Sequence, residues 1–176
     1  MQWKPTDSPA EILAGLVSCA QTLTGDRSLR MRTISDSLWD TFCSRGVSWI
    51  GFYEIAGAQN DHGIEPGSAM LLGPHRDKPA CSPIGLHGVC GRSWSQRTSL
   101  VVSDIEHLGE GYVACDPRDV AELVIPCMDE DRSCWGVLDA DSFERACFDK
   151  HDAAEIWEVL SAAGLTAGAS PQILQI

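Results

Sequence analysis

The sequence has little positive charge, no long apolar run and no internal repeat. It contains 13 lysine and arginine residues against 25 aspartate and glutamate residues, for a formal net charge of −12. Because nucleic acids and anionic membranes bind basic surfaces, this balance argues against both as partners. The apolar stretch within residues 1–17 is short and interrupted, so it predicts neither a signal peptide nor a membrane span. Length and composition indicate one soluble, cytoplasmic domain.

The sequence also lacks any pair of cysteines with the C-x2-C spacing of zinc knuckles and thioredoxin motifs. Without an export signal, its 8 cysteines indicate a reducing compartment, where thiols are catalytic, metal-binding or buried. We predict no metal, although the mixed group of Cys81, His87 and Cys90 leaves a metal site as a minor alternative. The cysteines are Cys19, Cys43, Cys81, Cys90, Cys115, Cys127, Cys134 and Cys147.

Apolar periodicity and turn residues predict helices at both ends and strands between them. Ser8 and Asp26 are predicted to begin two N-terminal helices, and Asp149 is predicted to cap the last one. Hairpin-joined strands with helices at both ends indicate an α+β domain with a mostly antiparallel sheet. Ala56–Ser68 and the tail from Gly168 are expected to be loose. Strands are predicted at Val47–Tyr53, Ala69–Leu72, Leu100–Val102, Leu123–Cys127 and Ser133–Asp139, with an irregular stretch at His75–Ile84 and a short helix from Gly88 to Gln96.

The first strand carries two aromatic residues around a glycine. Because side chains alternate along a strand, Trp49, Gly51 and Tyr53 share one face, and Ile50 and Phe52 share the other. The two rings around Gly51 could form a recess for a ligand. The alternative is that both rings belong to the core.

The stretch from Tyr112 to Pro126, YVACDPRDVAELVIP, places a cysteine in a polar turn before a short apolar strand. We predict that Cys115 is a redox nucleophile, with Glu122 as a nearby carboxylate. Cys90 lies near the N-terminus of the short helix, where the helix dipole would favour its thiolate.

Asp139 and Asp141 form a second chemical unit. If the strand continues to Asp141, both carboxylates face the same side, and one of them keeps a proton near neutral pH and can act as a general acid. Glu122 on the neighbouring strand could add a third carboxylate. The alternatives are a solvated turn for the aspartates and an exposed glutamate. Together with the cysteines, the carboxylates suggest thiol redox chemistry on a small cationic or zwitterionic substrate.

Five blocks of sequence resemble the free methionine-(R)-sulfoxide reductases, which are GAF-domain enzymes. The resemblance implies a single GAF domain, with a central antiparallel sheet, helices on one side and an active-site loop region on the other. It divides the chain into N-terminal helices at 1–46, a catalytic core at 47–168 and a tail at 169–176. The blocks are WIGFY (Trp49–Tyr53), LLGPHRDKPAC (Leu71–Cys81), GVCG (Gly88–Gly91), ACD with ELVIP downstream (Ala114–Pro126) and GVLDADS (Gly136–Ser142).

The same resemblance implies roles for individual residues. Cys115 matches the catalytic cysteine, Cys81 the recycling cysteine and Cys90 the third motif cysteine. The substrate, free methionine-(R)-sulfoxide, would oxidise Cys115 to a sulfenic acid, and thioredoxin would reduce the resulting Cys81–Cys115 disulfide. The resemblance implies no metal or organic cofactor and often a homodimer. The substrate-site residues that it implies are Glu122, Asp139 and Asp141 for the acidic positions and Trp49 and Tyr53 for the aromatic wall.

The chain departs from the family pattern at two places. The segment from Cys81 to Cys90 is one residue shorter than expected, and Ala121 stands where the family has serine before the glutamate. Two other functions stay open: a GAF ligand-binding or sensor module without turnover, and a thiol-based peroxide sensor.

Overall fold

The computed structural model describes residues 8–58, 60, 62–109 and 115–176. Residues 1–7 of the predicted N-terminal unit and Tyr112 to Ala114 of the cysteine motif lie outside the described residues. Within the described ranges, no helix has the length and hydropathy that crossing a bilayer requires. The helices are α1 (Pro9–Gln21), α2 (Arg27–Phe42), α3 (Val89–Gln96) and α4 (Lys150–Ala162), and the strands are β1 (Val47–Ile55), β2 (Ala69–Arg76), β3 (Ile84–Gly85), β4 (Ser99–Val102), β5 (Ala121–Met128), β6 (Cys134–Ser142) and β7 (Ile173–Gln175).

One 7-stranded sheet organises the chain, in the order β3-β2-β1-β6-β5-β4-β7. Its strand pairs are antiparallel except for the parallel pair of β4 and β7. This architecture confirms the predicted α+β class with a mostly antiparallel sheet. The predicted limits of the three sequence units at 46/47 and 168/169 stay predictions.

Three helices, α1, α2 and α4, cover one face of the sheet. Their starts follow the capping signals in the sequence: Ser8 and Asp149 each form a reciprocal capping box, and the Asp26 side chain accepts a hydrogen bond from the backbone N–H of Leu29. The helices bury a continuous apolar core against the strand side chains that face them, including Ile50, Phe52, Leu123, Ile125 and Leu138. We call this side the helical face.

The opposite face, which we call the site face, is covered by α3 and by the loops around it. Its smaller core contains Trp49 and Tyr53 from β1 and Val89 and Cys90 from α3. Alternate residues of β1 therefore contribute to two different cores, as the predicted alternation requires. The site face is where the carboxylates of β5 and β6 lie.

Strand β2 is longer than predicted. It continues through Gly73 and Pro74 to Arg76, whereas the sequence suggested that Gly73-Pro74 ends the strand. The pairing of β1 with β2 shifts register between Gly51 and Tyr53, and β3 pairs only with Ala69 and Met70. Pro74 is tolerated because proline fits at a bulge where its missing N–H breaks no ladder hydrogen bond.

The prediction of a loose C-terminal tail is wrong for its last residues. Strand β7 pairs with β4, and the backbone N–H of Ile176 donates to the carbonyl of Val101 at 2.8 Å. An uncovered β4 edge would leave its backbone groups unpaired, and β7 satisfies them.

Candidate active site

Three carboxylates meet on the site face where β5 and β6 pair. Glu122 lies directly opposite Asp141, and Asp139 precedes Asp141 by two residues on β6, so all three project to the same side. Glu122 is 4% exposed and Asp139 is 6% exposed, while Asp141 is partly buried. The structure therefore brings together the three acidic residues that the sequence singled out, and it shows neither a solvated turn nor an exposed glutamate.

This environment raises the pKa values of the two aspartates. Burial raises the pKa of Asp139 to about 7, although the thiol of Cys90 donates a hydrogen bond to its carboxylate and opposes the shift. Burial, followed by repulsion from Asp139 and Glu122, raises the pKa of Asp141 well above its usual value. The group therefore holds at least one proton near neutral pH, which makes a carboxylic acid available as a proton donor.

The aromatic residues of β1 form one wall and also hold a loop. Trp49 and Tyr53 are 2% and 1% exposed, and their ring centroids are 5.9 Å apart. Trp49 Nε1 donates to the carbonyl oxygen of Lys78 and Tyr53 Oη donates to that of Cys81, each at 2.9 Å. These bonds fix the backbone of the loop that carries Cys81.

The recess that the sequence suggested above Gly51 is filled. A side chain at Gly51 would lie 2.4 Å from the Cβ of His75 and 2.7 Å from the ring of Trp49. The Trp49 ring leans over the glycine and stacks on His75, with ring centroids 5.8 Å apart. Gly51 thus serves ring packing, and the open space lies beyond the rings, toward the carboxylates.

Cys90 sits in the first turn of α3, against Asp139. The start of α3 is pressed close to the preceding loop, since a Cβ on Gly91 would lie 2.3 Å from the backbone of Leu86. Burial, then the negative charges of Asp139 and Glu122, raise the pKa of the Cys90 thiol well above its usual value. The expectation that the helix dipole favours the Cys90 thiolate is therefore wrong. A dipole contribution of about 0.3–1 kcal/mol is outweighed when the thiol is buried beside carboxylates.

Cys81 and Cys115 are exposed and lie together at the mouth of the site. The Cys115 thiol is hydrogen-bonded to the side chain and the backbone of Cys81. Partial burial of its sulfur, followed by the side-chain hydrogen bond to Cys81, raises the pKa of Cys115 to about 12. Both cysteines carry free thiols, and the hydrogen bond places the two thiols side by side.

These groups enclose a cavity of about 190 Å³. Of the described residues that line it, none is lysine or arginine, so its charge is set by the carboxylates. The lining residues are Trp49, Tyr53, Ala80, Cys81, Ile84, Gly85, His87, Gly88, Val89, Cys90, Cys115, Glu122, Asp139 and Asp141. Every residue that the sequence proposed for catalysis or substrate binding is among them.

Known proteins give independent information about this arrangement. No protein-family model matches the chain. The free methionine-R-sulfoxide reductase of Saccharomyces cerevisiae is 31% identical over 121 residues, which cover 67% of this chain and 63% of the yeast protein. The match thus spans less than two thirds of that relative's length. A solved structure from Burkholderia vietnamiensis, described as a GAF sensor protein, is 30% identical with a TM-score of 0.75 and matches over 89% of this chain and 94% of its own. The chain belongs to the GAF-domain family.

A further solved structure bears the name of the enzyme family that the sequence resembles. The free methionine-R-sulfoxide reductase of Neisseria meningitidis, solved in complex with its substrate, is 25% identical, with a TM-score of 0.73 over 94% of this chain and 96% of that chain. Together with the yeast relative, it confirms the suspected similarity to free methionine-(R)-sulfoxide reductases.

Sequence reasoning missed the contacts among a set of charged residues beside the GAF-domain cavity. The ammonium of Lys78 pairs with Asp116, the residue after Cys115, and so links the loop of Cys81 to the loop of Cys115. Arg118 also pairs with Asp116 at 2.8 Å, and hydrogen bonds from Arg118 and Lys78 hold the pKa of Asp116 well below its usual range. Lys78 and Arg118 both lie over the ring of Phe143, at 4.7 Å and 4.6 Å from its centroid. The spacing of these residues carried no signal of this contact.

Asp119 is a fourth buried acid near the site. It is 3% exposed, and burial raises its pKa although it accepts a hydrogen bond of 2.5 Å from the hydroxyl of Ser48. Its charge contributes to the raised pKa values of Asp139 and Asp141. The resemblance to the reductase family marks the residues 118–120 as a departure near the substrate, but the polar stretch before β5 did not predict that Asp119 is buried.

Proposed function

We propose that this GAF-domain protein reduces free methionine-(R)-sulfoxide to methionine. The observation that carries the proposal is the contact between Cys115 and Cys81 at the mouth of a cavity with carboxylates on one side and aromatic rings on another. The proteins of Saccharomyces cerevisiae and Neisseria meningitidis that bear this name support it. The proposal extends their activity to this chain on the basis of the residues that line its cavity.

The cavity suits a zwitterionic amino acid of this size. The ammonium group would bind Glu122, Asp139 and Asp141, because a cation relieves the repulsion among carboxylates that share one site. The rings of Trp49 and Tyr53 would contact the thioether end of the side chain, since sulfur packs favourably against aromatic rings. This placement directs the sulfoxide toward the mouth, where Cys115 lies.

The chemical step is a nucleophilic displacement at the sulfoxide sulfur. Cys115 sulfur bonds to that sulfur while a protonated aspartate gives its proton to the sulfoxide oxygen. Transfer of the oxygen to the Cys115 sulfur then breaks both the S–O bond of the sulfoxide and the new S–S bond, which releases methionine and leaves a cysteine sulfenic acid. One thiol and one sulfoxide thus yield one sulfenic acid and one thioether. Since the pKa of Cys115 is raised to about 12, the thiol must lose its proton during the step. The pair of Asp139 and Asp141 gives one proton to the sulfoxide oxygen and can accept the thiol proton in return.

The Cys81 thiol would then attack the sulfenic acid of Cys115, forming a disulfide and releasing water. Two exposed cysteines already in contact need no large movement for this reaction. An external dithiol of the thioredoxin type would reduce the disulfide, because both sulfurs lie at the surface. Cys90 is a positioning residue, because its S–H donates a hydrogen bond to the Asp139 carboxylate. The homodimer stays a prediction from the resemblance, and the cytoplasmic location stays a prediction from the composition.

A stereospecific coupled assay tests the proposal. The protein is incubated with free methionine-(R)-sulfoxide, thioredoxin, thioredoxin reductase and NADPH, and NADPH consumption is followed. We expect turnover of the (R) form and little of the (S) form. Cys115→Ser should reduce kcat on the order of a thousandfold or more, because it removes the nucleophile. The matched control Cys43→Ser, at an exposed cysteine on the helical side, should keep wild-type kcat.

Equal turnover of both stereoisomers, or none of either, would contradict the reductase. A peroxide sensor is the second candidate, since an exposed pair of thiols in contact can also be oxidised to a disulfide by peroxide. That function predicts the Cys81–Cys115 disulfide after peroxide treatment but no consumption of methionine-(R)-sulfoxide, so the same assay separates the two.

A further inference from the structure

A thiol and two carboxylates form a compact cluster at the inner end of the cavity. Cys90, Glu122 and Asp139 each offer one ligand atom, and these atoms all lie within 4.8 Å of one another. In a tetrahedral zinc site with Zn–S and Zn–O distances near 2.0–2.3 Å, ligand atoms are about 3.5 Å apart. The three side chains therefore need only a small convergence to bind one ion.

The cluster stands on elements that packing holds in place. Glu122 and Asp139 come from the paired strands β5 and β6, and Cys90 comes from α3, which packs against both strands. The three residues are 4%, 6% and 6% exposed. Buried ligands on rigid elements favour a defined site over the loose ion binding of surface acids.

One buried oxygen of the cluster is available to bind a cation. Asp139 Oδ1 is buried and has no hydrogen-bond partner among the described residues, while the thiol of Cys90 donates to the same carboxylate. A buried acceptor without a partner carries a desolvation cost that a bound ion would offset. The described residues that line the cavity include no lysine or arginine that could supply this charge.

We propose that the cluster binds a thiophilic divalent cation, Zn²⁺, through Cys90 Sγ and one oxygen each of Glu122 and Asp139. The fourth position faces the cavity and takes water. The thiolate selects zinc over Mg²⁺ and Ca²⁺, which prefer oxygen ligands alone. Binding removes the proton from the Cys90 thiol and releases it to solvent. The bound ion also occupies carboxylates that, under the proposed function, take the substrate ammonium, so zinc competes with methionine-(R)-sulfoxide.

The test measures binding without turnover. Reduced, metal-free protein is titrated with Zn²⁺ in competition with a chromophoric chelator. We expect one ion per chain, with proton release in weakly buffered solution. Cys90→Ser and Asp139→Asn should each weaken zinc binding by about 10-fold or more, as loss of a ligand or its partner does in known sites. Cys43→Ser is the matched control and should bind as the wild type does. Co²⁺ should give a thiolate-to-cobalt absorption band that Cys90→Ser lacks.

Wild-type zinc affinity in both Cys90→Ser and Asp139→Asn would overturn the proposal. So would loss of binding in Cys81→Ser with none in Cys90→Ser, because the ion would then sit on the exposed thiols. If Asp139→Asn fails to fold by circular dichroism, Cys90→Ser and the cobalt band decide. The outcome is independent of the reductase proposal: zinc can bind at Cys90 in a protein without turnover, and turnover can occur in a protein that does not bind zinc.

Discussion

The two faces of the sheet are built from alternate residues of the same strands, yet they bury different chemistry. Leu138 on the helical face and its neighbour Asp139 on the site face are 0% and 6% exposed. Leu138 contributes to stability by leaving water, whereas Asp139 is buried against the usual preference of a carboxylate for its charged, hydrated form. The comparison indicates that the helical face stabilises the domain, and that the site face holds acids at a cost in stability, as the proposed binding and proton transfer require.

The largest expected effect comes from the helical face. Leu138→Ala should lower the free energy of unfolding by about 2–5 kcal/mol, because it leaves a cavity in a packed core. Urea denaturation measures the change, and the coupled assay at low temperature should show nearly unchanged kcat per folded molecule. Leu29→Ala, at a residue that is 52% exposed, is the matched control and should change the stability little. A large loss of kcat with unchanged stability in Leu138→Ala would contradict the assignment of stability to the helical face and of chemistry to the site face.

Asp139→Asn should have the opposite effects: a higher stability than the wild type at neutral and alkaline pH, and a lower kcat. Burial raises the pKa of Asp139 to about 7 in the folded protein, so its contribution to the stability is greatest below about pH 4 and is lost as the pH rises from about 4 to about 7. The variant should therefore be more stable than the wild type by roughly 2–4 kcal/mol at pH 8, with the difference shrinking toward pH 4. Its kcat should fall about 100-fold or more, since a proton donor is lost.

Denaturation at several pH values checks this prediction. Asp36→Asn is the control, because Asp36 is a surface residue whose side chain pairs with Arg76. A stability difference between Asp139→Asn and the wild type that is the same at pH 4 and pH 8 would show that Asp139 titrates normally. In that case the site face would not carry the cost that distinguishes it from the helical face.

The smallest expected effect concerns the ion pair that links the two cysteine loops. Lys78→Met removes the pairing with Asp116 but keeps the length of the side chain over Phe143. We expect formation of the Cys81–Cys115 disulfide from the sulfenic acid to slow by about 3–10-fold, because the two loops are held together less often. Rapid-quench trapping of free thiols after one equivalent of oxidant measures that rate.

Arg76→Met is the matched control for the loop pair. It removes the 2.6 Å ion pair between Arg76 of β2 and Asp36 of α2, which does not join the cysteine loops. Its disulfide rate should equal that of the wild type. A disulfide rate in Lys78→Met equal to that of the wild type would mean that the hydrogen bonds from Trp49 and Tyr53 suffice to hold the Cys81 loop. The ion pair would then be unnecessary for bringing the two cysteine loops together.

Local patterns predicted much of the fold and the members of the candidate site. Capping residues located the starts of α1, α2 and α4, because a cap is satisfied by backbone groups within the same turn. Alternation along β1 separated Trp49 and Tyr53 from Ile50 and Phe52, and alternation along β6 placed Asp139 and Asp141 on one face. In contrast, β7 was missed because it pairs with β4, which is distant in sequence. The end of β2 was missed because Gly73-Pro74 is typical of a strand end, whereas a bulge against β1 lets this strand continue.

For the candidate site too, the sequence predicted the residues but not the contacts between elements that are distant in sequence. The sequence by itself determined which side chains are available: Cys115, Cys81, the acids of β5 and β6, and the rings of β1. Only the tertiary structure decided their chemical state. It buried Cys90 against Asp139 and raised both pKa values, it filled the space above Gly51 with the Trp49 ring, and it brought Lys78 to Asp116. The physical reason is that desolvation and charge repulsion depend on every element that surrounds a group, whereas alternation and capping depend on a few residues along the chain.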